Sequence, residues 1–372
     1  MGKSNAVVGQ GAPQTQTPTL LTESYRGYSD RYAKRESKTM YLRVGRILLC
    51  LFITSLATAC EKDADTGLSA VTEREGMVRI SPSVFVMGAP DGEGREREKP
   101  MHGVSFSTSY FIDKYEVTVG EYAEFLREHG NVCTFMGVEY ACYDCGDSPD
   151  LILDQKITCD GTWQVKSICE QTPGGDFDGD CSNHPATLVF YPGARAFCEW
   201  KGKRLPTEAE WERAANGPGG DGSTWLRFPW GNTCPSEFTG PLLPAQCADM
   251  TWSPATAKAN CEEAFCNDGW IGSAPVGTFE SGASPEGVHD MAGNAMEWVE
   301  DCFHDQYAYE SGVVAPADGS AWEADCEDPL RRVARGGSFV DDGGNLRGAF
   351  RGGDRLTESE ADPDVGFRCA SD

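Results

Sequence analysis

Four groupings of residues have the types and spacing to do chemistry. Cys142-Tyr-Asp-Cys145 is a CxxC step, the spacing of a redox dithiol or of half a zinc site. No second CxxC and no paired His accompany it, so a disulfide-linked loop is the better reading. Asp176-Phe-Asp178-Gly-Asp180 alternates carboxylates around a glycine, which suits Ca²⁺. It lacks the length and terminal Glu of an EF-hand, and a polar surface turn is the simpler reading. Lys203, Arg204, Arg332, Arg335, Arg347 and Arg351 are basic groups in an acidic chain. They fit either a pocket for an anionic ligand or, more commonly, buried ion pairs that fix glycine-rich loops. His289 beside Asp290 is the one suggestive histidine. The five histidines, His102, His129, His184, His289 and His304, are widely spaced, so a facial iron triad is not supported.

Composition sets the frame that must position these groups. The chain has 372 residues, with 40% hydrophobic and 10% aromatic residues, enough for a core and against general disorder. Its 43 Gly and 21 Pro point to a loop-rich fold rather than a helical bundle. A net charge of −26 argues against nucleic acid as a partner, because a phosphate backbone needs a basic surface. Sixteen cysteines suggest disulfides and an oxidising compartment.

The N-terminal segment names that compartment. Arg43-Val-Gly-Arg46 precedes the apolar run Ile47–Leu56, and Ala57-Thr-Ala-Cys60 follows. That is a basic n-region, a short h-region and a small-residue cleavage site. The run is too short to span a bilayer comfortably. A Cys after Ala-Thr-Ala resembles a bacterial lipobox, with Ala57 where leucine is usual. The expected organisation is an over-extended start over 1–39, a lipoprotein signal over 40–59, a tether over 60–75 and one domain over 76–372. Cys60 would carry the lipid, placing the protein in a bacterial cell envelope, periplasmic or on the outer membrane. The chain from Cys60 carries 24 basic and 55 acidic residues, a net of −31, and 14 further cysteines.

Along the domain, Met77–Ile80 and Val84–Met87 read as short strands, and Val104, Phe106, Tyr110 and Ile112 mark a further extended stretch. Thr118-Val-Gly-Glu121 is a capping box, and Gly130 closes the helix it starts. A second helix is expected over Ala194–Lys201. A third is expected from the capping box Thr207-Glu-Ala-Glu210, with Trp211 and Ala214 on one face. Residues 131–185, with Cys133, Cys142, Cys145, Cys159, Cys169 and Cys181, read as an insertion stapled to itself. Cys302 with Cys326, and Cys261 with Cys266, are plausible local bridges. The rest is mostly loops.

Six pieces in order carry a resemblance. They are Tyr115-Glu-Val-Thr118, Gly202–Glu212 (GKRLPTEAEWE), Phe228-Pro-Trp-Gly231, Gly293-Asn-Ala-Met-Glu-Trp298, Arg335-Gly-Gly-Ser338 and Gly366-Phe-Arg-Cys369. Together they resemble the formylglycine-generating enzyme family, or sulfatase-modifying factors, over residues 76–372. The resemblance implies an irregular α+β fold, related to C-type lectins and low in regular secondary structure. The resembled enzymes oxidise a sulfatase Cys to formylglycine with O₂ and copper held by two cysteines. Soft thiolates suit Cu(I). Here Asp341 falls where the first of that pair should be and about Leu346 where the second should be. No cysteine lies between Ser338 and Gly366.

The resemblance also implies structural Ca²⁺. One site would use Asp290 and Glu297 by side chain, with Gly293 and Ala295 by carbonyl. The other would use Asp268 with the Trp270 carbonyl, and Asp249 with the Met250 carbonyl. Oxygen ligands from turns suit this ion, which can order loops that lack ladder bonds. Cys198 and Cys369 fall at a family disulfide, while Ala215 and Gly352 stand where a second family bridge would be. The expected function is a calcium-stabilised binding or scaffold module on a membrane anchor, taking a protein, peptide or glycan ligand. A family enzyme of altered chemistry, using Asp341 or Ser338, and a true formylglycine-generating oxidase are the alternatives.

Overall fold

The computed structural model describes residues 74–146, 155–166, 180–218, 225–232, 258–261, 268–270, 272–326, 328, 330–341, 343–352 and 356–372. All lie within the unit Ser69–Asp372. The expected signal, Cys60, Asp176, Asp178, Cys169, Cys266, Asp249 and Met250 fall outside the described residues.

Eleven short strands and three helices are described. Strand β1 (Met77–Ile80) pairs with β4 (Tyr110–Asp113), which also takes β11 (Ala370–Ser371) on its other edge. Strands β2 (Ser83–Met87) and β3 (His102–Phe106) form a separate ribbon, as do β5 (Cys133–Phe135) and β6 (Val138–Tyr140). The single extended stretch expected over 104–112 is therefore two strands in different sheets. The fourth sheet has the order β10-β7-β8-β9, from Val365–Phe367, Met296–Cys302, Arg332–Arg335 and Arg351–Gly352. Its β7–β10 pair is parallel and its other pairs are antiparallel. Short strands, three helices and long connections make this the loop-rich α+β architecture that the glycine content predicts.

The helices start where their caps say. Thr118 accepts from the Glu121 amide and Glu121 returns to the Thr118 amide, opening α1 (Val119–His129). Gly130 then ends it in the left-handed region, where glycine carries no Cβ penalty. Thr207 and Glu210 repeat the box at α3 (Glu208–Asn216). Helix α2 runs Tyr191–Trp200, three residues earlier than expected. Pro192 explains this, because its missing N–H is no loss in a first turn.

Two apolar clusters hold these pieces. Tyr122, Phe125, Phe197 and Phe367 interlock by tilted and edge-on ring contacts where α1, α2 and β10 meet. Ile80, Phe85, Val104, Trp211, Val299 and Val333 form the second. Cys198 is bonded to Cys369, tying α2 to the C-terminal strands. Cys133–Cys142 and Cys145–Cys159 staple the insertion. The two sulfurs of the CxxC step thus belong to different bridges, which removes its redox-couple reading. Cys302–Cys326 forms as expected, and Cys261 is disulfide-bonded.

Candidate functional site

The basic groups form ion pairs, the commoner of the two readings open for them. Arg351 donates to both oxygens of Glu208, at 2.6 and 3.0 Å, and Arg335 bridges Glu208 and Glu212. Arg347 takes Glu98 bidentately, Lys203 takes Asp113, and Arg204 takes Glu210 and Asp372. Arg332 lies within 3.6 Å of Glu323, and its guanidinium sits over the rings of Phe135 and Tyr191. Arg335, Arg347 and Arg351 are buried, so their charges persist only because carboxylates meet them. They fix loops and leave no free guanidinium for an anion among these residues.

Two acidic sites lie on either side of the start of β7. The first is built by the turn over 290–294, in which Asp290, Gly293 and Asn294 all adopt left-handed backbone. Asp and Asn tolerate that region better than other side chains, which explains the Asp-Met-Ala-Gly-Asn sequence. A Cβ on Gly293 would stand 1.9 Å from the Asn260 carbonyl oxygen, so only glycine fits. The turn brings Asp290 and Glu297 near Glu116, the glutamate of the Tyr115–Thr118 piece. Glu116 accepts from the Ala295 amide at 2.9 Å and the Asn294 side chain at 2.7 Å. Glu297 accepts from Arg368 at 2.6 and 2.7 Å and from the Trp211 indole at 2.8 Å. Asp290 accepts from the Gly277 amide at 2.6 Å.

Three buried carboxylates around one guanidinium leave an excess of negative charge. Burial pushes the Glu116 carboxyl well above its ordinary range, and the Asp290 and Glu297 charges push it further. Burial likewise raises Asp290 to about 6, against the pull of the Gly277 amide and Arg368. The site is left to take up protons or a cation. Its carboxylates are hard oxygen donors of the kind Ca²⁺ prefers. Asp290 and Glu297 lie together around Glu116, with Gly293 and Ala295 on the turn between them. Sequence reasoning missed Glu116 and Arg368, although both sit inside quoted motifs.

For the other expected ion, Asp268 is buried and accepts from the Cys261 and Trp270 amides, both at 2.8 Å. Nearby, Asn260 donates to the Gly272 carbonyl at 2.8 Å, while its buried Oδ1 has no hydrogen-bond partner among the described residues. A buried, unsatisfied oxygen beside an acidic loop fits a hard cation. Asp249 and Met250 lie outside the described residues.

The second acidic site follows β8. Gly336 and Gly337, with φ of 95° and 68°, turn the chain so that Ser338 faces the end of β10. A Cβ on Gly337 would approach the Asn345 carbonyl oxygen to 2.7 Å. Ser338 Oγ donates to Asp364 at 2.6 Å, and Asp341 lies 3.1 Å from the same hydroxyl. Asp341 also accepts from the Ser338 amide at 2.9 Å and from Asn345 at 2.7 Å. The parallel β7–β10 pair positions Asp364, whose carbonyl accepts from the Met296 amide at 2.9 Å. Burial raises Asp341, and burial with a hydrogen bond to Asp362 raises Asp364 to about 7. Ser338 is buried, whereas Asp341, Asp362 and Asp364 are half-buried beside exposed Val340. This is a partly open carboxylate site with one member poised near neutrality, the range in which a side chain both gives and takes protons.

Copper does not fit there. Asp341 is a hard oxygen donor, Leu346 is buried and apolar, and the segment has no sulfur. His184 lies 3.1 Å from Ser273 Oγ, His289 packs on Tyr115, and His304 lies flat against Trp322.

Comparison with known proteins agrees with the motif reading. The model of the sulfatase-modifying factor enzyme 1-like domain matches residues 62–372. The formylglycine-generating enzyme of Thermomonospora curvata is 31% identical over 314 residues, covering 80% of this chain and 94% of that protein. The protein named inactive C-alpha-formylglycine-generating enzyme 2 of Bos taurus is 29% identical over 304 residues, covering 79% and 87%. Among solved structures, PvdO from Pseudomonas aeruginosa matches with a TM-score of 0.53 and 28% identity, covering 80% of this chain and 94% of its own.

Proposed function

This chain belongs to the sulfatase-modifying factor enzyme 1-like family, and from that premise we propose that it is a calcium-stabilised binding or scaffold module without copper–thiolate chemistry. A lipid on Cys60 holds it at a bacterial cell envelope, where its disulfides persist. The observation that carries this reading is the fate of Asp341. By the motif resemblance it falls at the place of the family's first thiolate, and its oxygens are taken up by the Ser338 amide, the Ser338 hydroxyl and the Asn345 side chain. A soft-metal site has become a hydrogen-bonded turn. The ligand is a protein, peptide or glycan, not nucleic acid, in keeping with the acidic chain.

The test is incubation of the protein with a Cys-x-Pro-x-Arg peptide, copper and O₂, followed by mass analysis. The peptide is expected to emerge unchanged, and conversion to formylglycine would overturn the reading. The anchor is tested separately with Cys60→Ser, which should move the protein from the membrane to the soluble envelope fraction. Retention on the membrane would sink that part.

One observation favours a second reading, a family enzyme of altered chemistry. Asp364, poised at about 7, accepts from the Ser338 hydroxyl at a partly open site. Such a carboxyl can act as a general acid–base. A ligand or substrate whose binding shifts the Asp364 titration would favour this reading over the scaffold.

A further inference from the structure

Cys302 Sγ, Cys326 Sγ and a ring nitrogen of His304 all lie within 4.8 Å of one another, and they are the one group of three such ligating side chains to do so among the described residues. As folded, the two sulfurs are bonded to each other. Cys302 and His304 are buried, whereas Cys326 is partly exposed and lines a cleft of about 510 Å³ with Arg195, Glu199, Phe135 and Arg332. From this arrangement we propose that the Cys302–Cys326 disulfide masks a soft-metal site. Reduction would release two thiolates that, with His304, bind Zn²⁺ or Cu⁺.

The imidazole is held beside the bond. Its ring stacks on Trp322 with centroids 3.6 Å apart and planes 6° apart, which fixes its orientation. Nε2 lies 3.0 Å from the Ala324 carbonyl, while Nδ1 lies 3.2 Å from the Cys302 carbonyl and 3.9 Å from Cys302 Sγ. With Nε2–H donating to the Ala324 carbonyl, Nδ1 is the nitrogen on the side of the sulfur, and a bound metal would take its lone pair in place of the Cys302 carbonyl contact. A metal-bound histidine is commonly held this way, its second nitrogen donating to a carbonyl. Ligand atoms bound to zinc at about 2.0–2.3 Å lie ~3.3–3.8 Å apart, so the sulfurs must separate while the imidazole stays nearly in place. Cys326 sits in a loop on the cleft and is the more exposed of the two cysteines. The cleft leaves the fourth position to water or an outside ligand.

The redox step needs an external dithiol. One of its thiolates attacks Cys326 Sγ, the accessible sulfur, and Cys302 leaves as a thiolate. The second thiol of the reagent then closes its own disulfide and frees Cys326. Two electrons pass to the protein and the reagent is oxidised. Metal binding then displaces the remaining thiol protons to solvent.

The test uses the mature protein, opened by limited treatment with a phosphine reductant, with Cys302 and Cys326 confirmed as thiols by alkylation and mass mapping. Co²⁺ serves as the probe, because thiolate-to-cobalt charge-transfer absorption reports sulfur ligation. One equivalent of Co²⁺ should produce that band in the opened protein and not in the oxidised protein. The metal should also shield both cysteines from alkylation. His304→Gln should weaken Co²⁺ at least tenfold while leaving the bond equally reducible. An opened protein that shows no charge-transfer band would overturn the proposal, as would His304→Gln binding as tightly as the native protein. Where opening the bond costs the protein its near-ultraviolet circular dichroism, Co²⁺ is expected to restore it, and failure to do so is also an overturning result.

Discussion

Arg368 lies with its guanidinium against both oxygens of Glu297, at 2.6 and 2.7 Å, where neither side chain is exposed. It also donates to the carbonyls of Asp113 and His289, at 3.1 and 2.9 Å. One side chain thus joins the C-terminal piece Gly366–Cys369 to the 290–297 turn and to β4. Removing one member of a buried pair costs about 3–5 kcal/mol, because the other charge is stranded. The two removals are not equivalent here. Glu297→Gln leaves Arg368 its two carbonyl acceptors and lowers the negative load. Arg368→Met strands three carboxylates together. Arg368→Met is therefore expected to be the more destabilising in urea melts, and equal losses would refute the charge-excess account.

Calcium and pH should be linked through the same cluster. Asp290 has an ordinary value of 3.8 and titrates at about 6 in the fold, while Glu116 is also raised. The folded state holds those protons more tightly than the unfolded chain. Their contribution is therefore fully present below about pH 4 and is lost as pH rises through about 6. A bound cation replaces the protons and removes the penalty. In EDTA, the melting temperature should fall between about pH 4 and 7. Millimolar Ca²⁺ should flatten that fall and raise the value at pH 7 by several degrees. Identical profiles with and without Ca²⁺ would remove calcium from the proposal.

At the open site, the Asp364 carboxyl carbon should titrate near neutrality in ¹³C spectra, because burial and the Asp362 hydrogen bond both hold its proton. Asp362→Asn removes one of those causes and a neighbouring charge, so the midpoint should fall. An Asp364 midpoint near 4 in the native protein would remove the acid–base role that the second functional reading needs.

Gly337→Ala tests how strictly the backbone presents Ser338. Its φ of 68° disfavours a side chain, and the added Cβ would press on the Asn345 carbonyl. Strain of this kind costs about 1–3 kcal/mol. The Ser338–Asp341 contacts should loosen with it, visible as faster exchange of the Ser338 amide. An unchanged exchange rate would mean that the turn is held from elsewhere.

What the sequence made legible was local or covalent. The boxes at Thr118 and Thr207 announce two helix starts because the cap and its partner are three residues apart. The Cys302–Cys326 bridge spans one short loop. The sites themselves depend on segments that meet only in three dimensions. Glu116 reaches Ala295 across 179 residues, and Ser338 reaches Asp364 across 26. No periodicity marks such single carboxylates. The motif pieces around Glu116 and Arg368 were visible, but which motif residue faced which was not. Likewise the adjacent runs 77–80 and 84–87 read plainly as strands, while their pairing with different sheets is set by the core between them.

Among the described bridges, Cys198–Cys369 spans the most chain. It spans 171 residues and joins α2 to the last strands, next to the Asp113 carboxylate that accepts from the Cys369 amide. Closing so long a loop restricts the unfolded chain strongly, a stabilisation on the order of 2–5 kcal/mol. Both sulfurs are buried, so the native bond should resist mild reductant while the exposed side of Cys302–Cys326 reacts first. The double change Cys198→Ser with Cys369→Ser should lower the urea midpoint by that free energy. The Cys302→Ser with Cys326→Ser pair closes a loop of only 24 residues and should cost less. A larger loss from the short loop would show that local packing around His304 and Trp322, rather than chain entropy, sets the worth of these bridges.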